Sequence, residues 1–230
     1  MSVILAFLVV VILVAFWWLV GQGVMSRPWL ETGAAPPERM QGRVPVERIG
    51  LGVFLAVVGA LFALFGSAFV MRMDLEIWSA LTLPPIVWAN TALLVLASVF
   101  LHRAAAGARR DDRLGLQRDL GVAALATMGF LAGQLLTWRE LTATGDGLAT
   151  GPAASFFYLL SGLHGLHILG GLCALGMVAM RAEADIGRLR LRLGLCVTYW
   201  DFLLLVWGGL LFLFLGWANQ LVGICRGILT

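Results

Sequence analysis

The sequence predicts an all-α membrane protein of six transmembrane helices, a single N-terminal helix followed by a five-helix bundle. Three observations carry this. First, 60% of the 230 residues are hydrophobic and only 13% are charged, whereas soluble domains average about 45–50% apolar and about 25% charged residues. One small core cannot hide that excess from water, so a water-soluble enzyme is excluded. Second, six apolar stretches are each long enough to cross a bilayer at about 1.5 Å of rise per residue. Third, the arginines concentrate on alternate connections.

The six stretches run over residues 3–20, 49–72, 84–102, 119–138, 153–180 and 191–217. In lipid only helices or closed barrels satisfy their own backbone, and runs of this length are helices. The first lacks a basic leading region and a small-residue cleavage site, and it ends on the interfacial pair Trp17 and Trp18, so it is expected to be a retained span. Residues 21–48 hold Pro28, Pro36, Pro37 and Pro45 and form a cytoplasmic linker. The domain division is therefore an N-terminal helix (1–20), a linker (21–48) and a five-helix domain (49–220). The stretch 153–180 exceeds what a hydrocarbon layer of about 30 Å requires, so it should tilt or protrude.

Orientation follows from charge. The sixteen basic residues are all arginine, and the net charge is +3. Arg27, Arg39, Arg43 and Arg48 fall in the first connection. Arg103, Arg109, Arg110, Arg113 and Arg118 fall in the third, and Arg181, Arg188, Arg190 and Arg192 in or beside the fifth. The second and fourth hold Asp74, Glu76, Glu140 and Asp146, with only Arg72 and Arg139. The positive-inside bias places the odd connections in the cytoplasm and both termini outside. The basic excess thus speaks of membrane orientation and not of nucleic acid.

Polar residues inside the spans are few, so each is a candidate. They are Asn90 and Thr91, Gln134 and Trp138, His164 and His167, and Trp200 with Asp201. A bis-histidine haem needs imidazoles on facing helices, but His164 and His167 share one helix, and His102 lies near the end of another. No set of three or four ligands suits zinc or copper. Interhelical hydrogen bonding is the better account of the histidines. Cys173, Cys196 and Cys225 sit apart in apolar sequence and read as inert thiols. Ser161 with Gly165, Gly170 with Ala174, and Ala56 with Ala60 have the small-residue spacing of close helix contacts, and Gly208 and Gly209 interrupt the sixth stretch. No nucleophile–base pair, phosphate-cradling loop or paired carboxylates appear.

The stretch SFFYLLSGLHGLHILGG at 155–171 resembles the signature of subunit III of haem–copper terminal oxidases. PPIVWANTALLVLASVFLHRA at 84–104, FLAGQLLTW around Gln134 and YWDFLLLVW around Trp200 agree with that family in the same order. The resemblance covers about residues 48–217 and implies a subunit III-like five-helix bundle. It implies a non-catalytic accessory subunit with no haem or metal of its own. The haems and copper belong to partner subunits I and II, and subunit III binds phospholipid and sustains proton uptake. Arg27, Arg43, Arg48 and Arg103 are then candidate head-group ligands. Alternative readings are the accessory subunit of a nitric-oxide reductase or a small membrane transporter, the latter disfavoured because no repeat relates the two halves.

The sequence departs from the family at three places. The membrane carboxylate of the family's first core helix falls at Val58, within FLAVVGALF. The Glu of Q-x-x-E-W reads Thr137, and the His of Y-W-H-F reads Asp201. Asp201 and Val58 lie at comparable depth along their helices. Two expectations stay open: a relocated acid stabilised by His164 or His167, or an acid that only hydrogen-bonds a neighbouring helix.

Overall fold

A computed structural model describes residues 45–72, 83–110, 112–145, 147, 151–180 and 186–215. The chain separates into two units, Met1–Pro45 and Val46–Thr230, and the described helices all belong to the second. They are α1 (Val46–Arg72), α2 (Ile86–Arg109), α3 (Arg113–Ala143), α4 (Pro152–Met180) and α5 (Ile186–Phe214). All five are long and apolar enough to cross a membrane. The expected N-terminal helix at 1–20 and nearly all of the linker lie outside the described residues.

Local chemistry explains the boundaries. Glu47 opens α1 and Arg72 closes it, each complementing the helix dipole. Pro84 and Pro85 start α2, where a missing N–H costs nothing, and their carbonyls accept from Val87 and Trp88. The residues from Gly107 to Asp112 make a tight turn: the N–H groups of Arg110 and Asp112 both donate to the Gly107 carbonyl. Asp112 then caps α3, its carboxylate accepting from the Gly115 N–H at 3.0 Å. Pro152 occupies the first position of α4.

Two expectations about these elements change. The supposed loop holding Arg103, Arg109, Arg110, Arg113 and Arg118 is mostly helix. Apolar contacts among Ala104, Ala108, Leu116 and Leu120 continue past the span and zip the α2–α3 hairpin to its turn. Gly208 and Gly209 do not interrupt α5, which runs unbroken to Phe214. Both glycines are exposed and meet no neighbouring side chain, so nothing there bends the backbone.

Helix α5 touches α1, α2 and α4, while α3 packs on α2 and α4. Cross-helix contacts fix the directions. Thr91 meets Trp207, Ser98 meets Asp201, and Ala108 meets Arg190, so α2 and α5 are antiparallel. Gly59 and Gly66 of α1 face Phe202 and Leu213, so α1 and α5 are parallel. The arginines at 48, 103, 109, 110, 113, 118, 188, 190 and 192 consequently gather toward one end of the bundle, and Arg72 and Arg139 toward the other. The interior divides the same way. Small residues such as Ala97, Ala104 and Ala123 fill the arginine end, while Phe62, Phe69, Phe130, Phe157, Trp207 and Phe214 fill the other.

The close helix approach is not at Gly165 or Gly170. A methyl on Gly165 would make an ordinary contact with Leu131 at 3.7 Å, and one on Gly170 would meet nothing. The tight position is Gly171, where a methyl would come within 2.7 Å of the Tyr199 ring and 2.9 Å of the Trp200 ring. The difference is one of helix phase: the neighbouring residue points about 100° away. Gly171→Ala should therefore destabilise by about 1–3 kcal/mol, whereas Gly170→Ala should be neutral or stabilising by up to about 1 kcal/mol. Thermal unfolding of the two variants in lipid nanodiscs checks this, and equal midpoints would contradict it.

Candidate functional site: a polar network between the helices

Several polar residues of the spans bond to side chains or carbonyls across helix boundaries. A recurrent device is a hydroxyl that donates to its own helix and accepts from the next. Thr91 Oγ1 donates to the Val87 carbonyl at 2.8 Å and accepts from Trp207 Nε1 at 3.0 Å. Ser161 Oγ donates to the Phe157 carbonyl at 2.6 Å and accepts from Trp138 Nε1 at 3.0 Å. A Ser or Thr in a helix readily bonds the carbonyl four residues back, which leaves its lone pairs free. The indole supplies the N–H those lone pairs need, and its ring fills the space above Gly162, where a methyl would lie 3.3 Å from Trp138.

His164 is fully buried and donates through Nε2 to the Leu203 carbonyl at 3.1 Å. It stacks on Trp207 with ring centroids 5.2 Å apart and meets the rings of Phe62 and Phe130 edge-on. His167, one turn away, donates from Nδ1 to the Leu163 carbonyl at 2.8 Å and packs against Phe54 and Phe62. The Tyr199 hydroxyl donates to the His167 carbonyl at 2.8 Å. Helices α4 and α5 are thus joined by two reciprocal side-chain-to-backbone bonds. The bare backbone at Gly171 admits the Tyr199 ring that makes one of them.

Asn90 and Gln134 belong to the α2–α3 contact. The Asn90 amide lies directly against Gly133, where any side chain would overlap it, and Gln134 is the next residue. Asn90 Nδ2, both amide atoms of Gln134, His164 Nδ1 and Trp200 Nε1 are buried with no protein partner. Trp200 instead serves by shape, covering Gly171.

Asp201 does not meet His164 or His167, so that expectation is corrected. Its carboxylate accepts from Ser98 Oγ at 2.9 Å and stands 3.3 Å from His102 Nε2. The reason is helix phase. Leu203, which bonds His164, lies about 200° around the helix from Asp201, so the acid turns to α2. It shares the level of Val58, since Phe202 abuts Gly59, but Val58 is buried in the apolar core and Asp201 is not.

At the arginine end, buried Asp119 takes Arg103 and Arg118, each at 3.4 Å, and Arg103 also lies over the Phe100 ring at 5.1 Å. Arg103 is thus partly committed before any head group is considered. Arg190 donates to the Ala108 and Arg109 carbonyls, capping α2 with positive charge. Arg48 is exposed, and Arg27 and Arg43 lie outside the described residues. Cys173 and Cys196 are free thiols; Cys225 lies outside the described residues. Among the described residues no three His, Cys, Asp or Glu side chains group as metal ligands.

Sequence reasoning passed over Ser98, Tyr199, Trp207 and Asp119. The spacing of Ser98 and His102, one turn apart on one face, was the available signal, as was a lone acid at the start of an apolar span.

No family model matches the chain. It is 32% identical over 150 residues to the cytochrome c oxidase subunit 3 of Synechocystis sp., covering 62% of each chain. Over 169 residues it is 29% identical to the cytochrome c oxidase subunit 3 of Thermostichus vulcanus, covering 69% of this chain and 81% of that one. Over 122 residues it is 31% identical to a probable cytochrome c oxidase subunit 3 of Nocardia farcinica, covering 52% and 60%. The chain matches 62% of the length of the first of these and 60% of the last.

The Thr91–Trp207 bond gives a measurable prediction. Thr91→Val leaves a buried indole N–H unpaired and should cost about 1 kcal/mol. Adding Trp207→Phe should then cost less than it does alone, because no orphan donor remains. Additive losses in a double-mutant cycle of unfolding free energies would show that the bond carries no coupling.

Proposed function

We propose that this chain, a divergent relative of the cytochrome c oxidase subunit 3 proteins, serves as an accessory subunit III of a bacterial respiratory haem–copper oxidase. The single observation that supports this most is identity of 29–32% with three subunit 3 proteins over 122 to 169 residues. The chain is a multi-pass membrane protein by its five spans.

The geometry fits a supporting role. The interhelical bonds made by Ser98, Trp138, His164, Tyr199 and Trp207 tie the helices to one another, which suits a rigid scaffold. In this reading the haems and copper reside in partner subunits I and II, where O2 is reduced to water and protons are pumped. The arginine end faces the cytoplasm of a bacterial inner membrane, with both termini on the opposite side. Arg48 and the free edge of Arg103, together with Arg27 and Arg43, bind phospholipid head groups there.

A tagged chain isolated under native conditions should bring with it haem-containing oxidase subunits. Deleting the gene should leave the visible haem spectrum of the remaining complex intact while the oxidase inactivates sooner during turnover. Loss of haem signal on deletion would place a cofactor ligand in this chain and contradict the assignment. A co-purifying complex that reduces nitric oxide and not O2 would move the chain to that related reductase.

A further inference from the structure

The contact between His102 and Asp201 poses a problem of hydrogen counting. His102 Nδ1 lies 2.9 Å from the Ser98 carbonyl oxygen. A carbonyl only accepts, so Nδ1 carries a hydrogen. A neutral imidazole has one N–H, and with Nδ1 taken, Nε2 presents a lone pair. Nε2 stands 3.3 Å from Asp201 Oδ2, and an ionised carboxylate also offers only lone pairs. Two acceptors this close repel each other, and one proton shared by the pair removes the repulsion. Placed on Nε2 it gives imidazolium and carboxylate; placed on Oδ2 it gives a carboxylic acid beside a neutral ring. Both descriptions count the same proton, which belongs to the pair.

We propose that His102 and Asp201 form one proton-binding site on the outer face of the bundle, and that its occupancy holds α2 to α5. The site is open: the two side chains are 53% and 46% exposed. Ser98 fixes the carboxylate by donating to Oδ1 while its own carbonyl orients the ring. Among the described residues the surrounding helices bring no rival group. On α2 the next residue, Arg103, is turned to Asp119 of α3, which Arg118 also holds. Between Asp119 and Arg139 the rest of α3 is uncharged, and so is α5 between Arg192 and Phe214 apart from Asp201. Helix α1 carries no charge between Arg48 and Arg72, and the two histidines of α4 donate to the Leu203 and Leu163 carbonyls. Ionisable groups in membrane segments pair with one another and mark proton-binding positions. Removing the proton sets acceptor against acceptor and loosens the α2–α5 contact. The site stands on this chain's own geometry and does not depend on the oxidase assignment.

The test uses the full chain in lipid nanodiscs at neutral pH, with 15N-labelled histidine read by solid-state NMR and 13C-labelled aspartate read by infrared spectroscopy. His102→Gln and Asp201→Asn identify the signals. Asp201→Asn keeps the contact, because the amide oxygen accepts from Ser98 and the amide N–H donates to Nε2. An imidazolium with an ionised Asp201, or a neutral His102 with a protonated Asp201, is the expected result. A neutral ring beside an ionised acid, or both groups protonated, overturns the proposal. Raising the pH should lower the thermal midpoint of the wild type and leave Asp201→Asn unmoved; an equal fall in both also overturns it.

Discussion

Helix α5 satisfies most of its polar groups against two neighbours at once, α2 and α4, and the rest of the bundle is arranged around that requirement. Hydrocarbon offers no partner for an indole, a phenol or a carboxylate, so such groups gain by finding one on another helix. Trp207 finds Thr91 on α2, Asp201 finds Ser98 and His102 on α2, and Tyr199 finds a carbonyl of α4. The carbonyl of Leu203 is in turn taken by His164 of α4. These partners lie on different faces of α5, so the helix can neither rotate nor slide without orphaning several groups. Each such bond is worth only about 0.6 kcal/mol on average in a membrane bundle. Their effect lies in the single arrangement they permit together.

The glycines that matter follow from the same requirement. Gly171, Gly133 and Gly162 each sit opposite a large polar side chain, respectively Tyr199 with Trp200, Asn90, and Trp138. In each case the missing Cβ makes room for a group whose polar atom or ring must reach past the helix surface. These are therefore seats for particular side chains and not a smooth groove for helix–helix contact.

The two ends of the bundle are built differently. Phenylalanine and tryptophan rings interlock at one, with Phe69, Phe157 and Phe214 in edge-to-face contact. At the other, alanines let α2 and α3 lie close, and charge does the capping: Asp112 on α3, Arg190 on α2, and Asp119 between two arginines. The same arginines that report orientation therefore also hold the helix ends. Arg103 illustrates the consequence, since its guanidinium edge toward Asp119 is already in use.

What the sequence determined by itself is the rough extent of the five described spans, the alternation of arginine between their ends, and the short roll of polar residues at stake. Those follow from composition and length, which the bilayer reads directly. Resemblance to subunit III was legible too, because SGLHGLH and its companion stretches are local strings. Which polar residues meet was not legible. Asp201 was set beside His164 or His167 by depth alone, but depth carries no angle, and the partner is His102 on another helix. The tight glycine was placed at Gly165 or Gly170 by spacing, while the contact fell at Gly171, one residue and about 100° away. Spacing along a helix gives height, and only the packed bundle gives the rotation of each helix about its axis. That rotation is set by several distant contacts satisfied together, so no local stretch of sequence contains it.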